Sequence, residues 1–175
     1  MRRIPLFAFL WPILALTACG GSAHRTAGMR APLECVPFAR ALSGIDIRGN
    51  AADWWQRADG RYAKGVSPDV GAVMVFARTS RLPAGHVAVV SKVVSRREIM
   101  VIQANWVHHH VTTDQLVADI SPYGDWSHVR VWWPPTDTMG ASVYPVHGFI
   151  YSGYSNSHEH IVRAVPRAVQ VALRN

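Results

Sequence analysis

The sequence predicts an α+β fold in which N-terminal helices pack on a small antiparallel β-sheet. Two observations carry that expectation. Cys35, Phe38, Ala39 and Leu42 lie at i, i+3, i+4 and i+7, which is one face of a helix. Further on, two Val- and Ile-containing runs at 86–94 and 98–104 flank Ser95-Arg96-Arg97, the pattern of an antiparallel hairpin. Helices first and strands afterwards point to α+β. Hydrophobic residues make up 49% and charged residues 17% of 175 residues, which suits one globular domain with extensions.

The N-terminus reads as an export signal. Arg2 and Arg3 precede an uncharged apolar run, 4–18, too short for a comfortable membrane span. Residues 1–18 are therefore expected to be a signal peptide. Leu16-Thr17-Ala18-Cys19 resembles a bacterial lipobox, which would make Cys19 a lipidation site; an ordinary cleaved signal with Cys19 incidental is the alternative. Residues 19–31 are small and polar and read as a tether. The fold is expected over 32–135, with 136–175 as a C-terminal extension.

Within the fold, Pro37 suits only the first turn of the 35–42 helix, and Gly44 its stop. Asn50 can cap a second short helix, 51–58, ended near Gly60. Residues 71–76 read as a strand and 78–85 as a loop. A further strand at 129–133 is halted by Pro134-Pro135, and 136–148 reads as loop. A terminal helix is expected over 161–173, with Pro166 interrupting it.

The chain carries a net charge of +7, but its Lys and Arg are scattered and no basic strip interleaves with aromatics, so nucleic acid is not an expected partner. A diffuse positive field favours anionic polymers such as cell wall, or lipid head groups, as much as it describes a merely basic surface. The only cysteines are Cys19 and Cys35. A disulfide between them has no fold to hold Cys19, and lipidation of Cys19 leaves Cys35 a lone thiol in an exported chain.

Cys35 sits at a helix start, where the macrodipole and free N–H groups are expected to lower a thiol pKa. His86 opens a strand directly after Gly85 and can act as general base and later acid. Read blandly, each is structural. Gln103 and Asn105, two apart on one strand face, can each reach His86 from the neighbouring strand and orient it. His108-His109-His110 lacks metal-ligand spacing, so neither metal nor cofactor is expected. Trp106 can wall a substrate groove.

Leu33-Glu34-Cys35-Val36-Pro37-Phe38-Ala39-Arg40, Gly49-Asn50-Ala51 with Trp54, 68–76, 85–90 and Gln103-Ala104-Asn105-Trp106 together resemble successive motifs of the CHAP domain. That family comprises cysteine- and histidine-dependent amidohydrolases and peptidases within an NlpC/P60-like, papain-like superfamily. The resemblance spans roughly 33–133. It implies a papain-like fold, cleavage of peptidoglycan amide bonds, Cys35 as nucleophile and His86 as base. Many members carry Glu where this chain has Gln103, which shifts the orienting role toward Asn105. The implied partner is peptidoglycan, with the membrane reached only through Cys19. A wall-binding relative that no longer cuts is the competing expectation, and so is a structural envelope lipoprotein.

Overall fold

The structure, a computed structural model, describes residues 33–174. The expected signal peptide, Cys19 and all of the expected tether fall outside them. No helix among the described residues is long and apolar enough to cross a membrane.

The chain opens with α1 (Cys35–Ser43), which buries Phe38, Ala39 and Leu42 and is stopped by Gly44 at φ 76. Gly44 donates its N–H to the Arg40 carbonyl, as a left-handed C-cap does. A 3₁₀ turn, Ala51–Asp53, leads into the one-turn α2 (Trp54–Arg57). Eight strands follow: β1 (Ala63–Gly65), β2 (Val73–Phe76), β3 (His86–Val93), β4 (Glu98–Ala104), β5 (Val111–Asp119), β6 (His128–Trp133), β7 (Thr138–Met139) and β8 (Tyr144–Tyr151). The chain ends in α3 (His158–Ala172), which continues through Pro166.

The α+β expectation, helices on a small open sheet of papain type, is overturned. Strands β8-β2-β3-β4-β5-β6 pair antiparallel in that order, and β6 pairs again with β8, closing a six-stranded barrel. β8 is the closing strand, pairing with β1, β2 and β6. The segment 136–148, expected as loop, thus contains β7 and the start of β8. Closure removes the exposed edges an open sheet would leave.

Two cores result. Ala72, Met74, Phe76, Ala88, Val90, Val101, Val117, Val129 and Phe149 fill the barrel. Phe38, Leu42, Ile45, Trp54, Val73, Val75, Val87, Val89, Ile102 and Ile150 form the second, between the three helices and the outside of β2, β3, β4 and β8. β2 is therefore buried along its whole length. A strand covered on both faces reads as a continuous apolar run. Side chains alternate along a strand, so His86, Ala88 and Val90 face the barrel while Val87 and Val89 face the helices. His86 is consequently an interior group at one end of the barrel, and α1 begins just outside it.

Candidate active site

Tight backbone contacts fix the His86 end of the site. Gly85 adopts φ 71, and a Cβ there would lie 2.5 Å from the Ala52 N, so only glycine fits this position. The Ala52 N–H donates to the Ala84 carbonyl at 2.9 Å. Arg78 ties the same loop down, donating to Asp53 Oδ1 at 2.6 Å and to the Pro83 carbonyl at 2.7 Å. Ala52 and Asp53, in the 3₁₀ turn, thereby fix where His86 starts its strand.

His86 is 4% exposed. Phe76 pairs with it across β2–β3 and meets its ring edge-on at 5.6 Å between centroids. Trp106 lies 5.1 Å away, and Tyr144 packs on both Phe76 and Trp106. Burial among these rings lowers the His86 pKa to about 4, against a partial rise from its bond to Gln103.

That bond decides the tautomer. The Trp132 carbonyl can only accept, so Gln115 Nε2 is the donor to it. Gln115 Oε1 must then accept, and it takes bonds from Thr112 Oγ1 and, at 2.6 Å, from Gln103 Nε2. Gln103 Oε1 is left facing His86 Nε2 at 2.8 Å, so Nε2 carries the hydrogen and donates it. Nδ1 remains bare and is the nitrogen available as base. Gln103 and Gln115 are 1% and 3% exposed, which makes the satisfied relay a condition of burying them at all.

The two candidate orienters thus have different partners. Gln103 bonds the imidazole. Asn105 bonds elsewhere, its Nδ2 donating to Glu34 Oε2 at 3.0 Å and its Oδ1 accepting the His109 N–H at 2.9 Å. Its φ of 63 is a conformation asparagine tolerates well. The resemblance shifted the orienting role toward Asn105, whereas the hydrogen bond to His86 is made by Gln103.

Cys35 is a partly exposed free thiol at the first position of α1. The expected fall in its pKa is overturned: the thiol is pushed up to about 11, chiefly by burial. The backbone N–H of Val87 pulls the other way, the Glu34 carboxylate adds to the rise, and the N–H groups of Val36 and Cys35 oppose it. Because Val87 directly follows His86, the thiol stands at the strand end that begins with the imidazole. At neutral pH both partners are uncharged. His108, His109 and His110 fall in a turn rather than on a strand, with His110 Nδ1 donating to the His108 carbonyl at 2.7 Å. Among the described residues, no three His, Cys, Asp or Glu cluster as a metal site would need.

Sequence reasoning missed Thr112, Gln115 and the Trp132 carbonyl. Gln115, Val117 and Asp119 alternate on one buried face of β5, but two of the three are polar and hide the strand signal.

The buried neutral imidazole makes stability depend on pH. Unfolded His86 takes up a proton near 6.5, whereas folded His86 resists until about 4. Between those values the unfolded state holds more protons, so stability falls as pH drops through that window. The expected loss attributable to His86 is about 3 kcal/mol across the window. Urea midpoints at pH 7 and pH 4 check this: the drop should be smaller in His86→Phe, and an equal drop would contradict it.

No curated protein matches the chain. The family model described as the CHAP domain matches residues 25–105. CHAP domains are generally amidases or peptidases acting on peptidoglycan. The matched segment contains Cys35, His86, Gln103 and Asn105, so all four candidate residues lie within the part of the chain that is similar to the CHAP domain.

Proposed function

We propose that the protein is an exported cysteine hydrolase that cuts amide bonds in peptidoglycan. The observation that carries this reading is the juxtaposition of the Cys35 thiol with the strand end where His86 presents a bare Nδ1. The thiol proton passes to Nδ1 as Sγ attacks the amide carbonyl, so the charged pair forms only during reaction. Backbone N–H groups at the start of α1 stabilise the oxyanion. The imidazolium then protonates the leaving nitrogen, and water, deprotonated by His86, hydrolyses the thioester. The relay behind His86 holds the Nε2 hydrogen throughout, so Nδ1 is the nitrogen that takes up and returns the proton. No cofactor enters.

The test is digestion of purified sacculi, with products read by mass spectrometry. New termini released by the wild type and absent with Cys35→Ala support the hydrolase and name the bond. No release, with the protein still pelleting with sacculi, favours a non-cutting wall-binding protein. The neutral Gln103 beside His86 is the feature that supports this second reading.

Export and anchoring belong to the same proposal. Cleavage before Cys19 and lipidation of its thiol would hold the domain at a membrane by the 19–31 segment. Palmitate labelling in a bacterial host is expected for the full chain and not for Cys19→Ala. Equal labelling of both would remove the anchor.

A further inference from the structure

A groove of about 290 Å³ opens beside the site, lined by Arg81, Trp106, Trp133, Ser142 and Tyr144 among others, with no acidic residue in its wall. Its size lies near the lower end for ligand clefts. Trp106 joins it to the chemistry, since one indole both borders the groove and packs against His86. Arg81 is exposed, and its guanidinium has no hydrogen-bond or ion-pair partner among the described residues. The loop that carries it is not loose. Arg78, three residues earlier, bonds Asp53 and the Pro83 carbonyl, and Ala84, three residues later, is held by Ala52.

The side of the site matters. His86 must hand its proton to the leaving nitrogen, so the leaving fragment lies on the imidazole side. The Trp106 groove is on that side. A cation with no internal partner, set among three aromatic faces, matches a short peptide arm that carries a carboxylate: the rings cover its apolar parts and the guanidinium takes the carboxylate oxygens in pairs.

We infer that this groove is the subsite for the leaving fragment of the substrate, and that Arg81 selects fragments bearing a carboxylate close to the newly freed amine. This rests on the hydrolase reading for its orientation, but binding can be measured without cleavage.

The experiment uses the full-length chain carrying Cys35→Ala, in mild detergent. The probes are a soluble stem tetrapeptide with free carboxylates and the same peptide with every carboxylate amidated, with affinity read by calorimetry. The free acid is expected to bind at least about tenfold more tightly. Arg81→Ala should abolish the difference, and Arg81→Lys should keep part of it. Equal affinity for the two peptides, or discrimination that survives Arg81→Ala, overturns the assignment. Discrimination that depends on Arg81, with no sacculus digestion by the chain that keeps Cys35, retains the groove and removes the hydrolase.

Discussion

Cys35→Ala and His86→Ala are each expected to reduce release of sacculus fragments by at least about 10⁴-fold, to background. The two act as one unit, so the double variant should be no worse than either single one. Both proteins should remain folded. Cys35 is partly exposed, and its side chain donates no hydrogen bond on which a neighbour depends. His86→Ala is the harsher change, because Gln103 Oε1 loses its donor inside the barrel. An unmet buried acceptor costs about 1–3 kcal/mol, which a domain of this size normally survives. Circular dichroism at 25 °C checks the fold, and the assay then reads chemistry alone. Appreciable cleavage by either folded variant would remove the mechanism.

The second large effect separates Gln103 from Asn105. Gln103→Ala strips the acceptor from His86 Nε2–H and the donor from Gln115 Oε1. With nothing to hold it, the imidazole can turn or change tautomer, and kcat/KM should fall about 10²–10⁴-fold. Asn105→Ala should cost less than about tenfold in kcat/KM, with about 1–2 kcal/mol of stability lost instead, because alanine resists the left-handed backbone. The opposite order would return the orienting role to Asn105. Gln103→Glu adds a sharper readout. A carboxylate beside the imidazole favours its charged form, so the acid limb of the pH profile should move upward from near pH 4.

The competing wall-binding reading predicts otherwise on one point. If the domain only holds cell wall, Cys35→Ala should pellet with sacculi as well as the wild type does and nothing should be cut by either. The high thiol pKa does not decide between the readings, since a neutral thiol can still react by passing its proton to a neighbouring neutral base as it attacks.

Part of this protein was legible in the residues taken alone. Helical spacing of Phe38, Ala39 and Leu42 with Gly44 at the stop sets α1, because one side of a helix must find apolar cover. The Val-rich β3 and the run that forms β4 declare themselves through β-branched side chains on buried faces. Residue chemistry also singled out Cys35, His86, Gln103 and Asn105 as a group. Local pattern could not show that the sheet closes. β5 carries Gln115 and Asp119 on its buried face, and β8 contains Pro145, His147 and Gly148, so neither gives a clean strand period. Their place depends on partners far along the chain: β8 pairs with β2 some seventy residues earlier. The orienter was likewise undecidable from sequence, since the two-residue spacing put both amides on one expected strand face, whereas β4 ends at Ala104 and Asn105 turns out of it. Only the fixed polarity of the Trp132 carbonyl, passed through Gln115, turns the Gln103 oxygen toward His86. The sign of the Cys35 shift was also settled in three dimensions. A helix start lowers a thiol pKa through local dipoles, but burial against the barrel is a property of the whole fold, and here burial is the larger effect. Sequence determined which groups are present and that the segments of α1, β3 and β4 are helical or extended; the tertiary structure decided the remaining strands, closure, hydrogen-bond polarity and desolvation, because each of these depends on contacts between residues far apart in the chain.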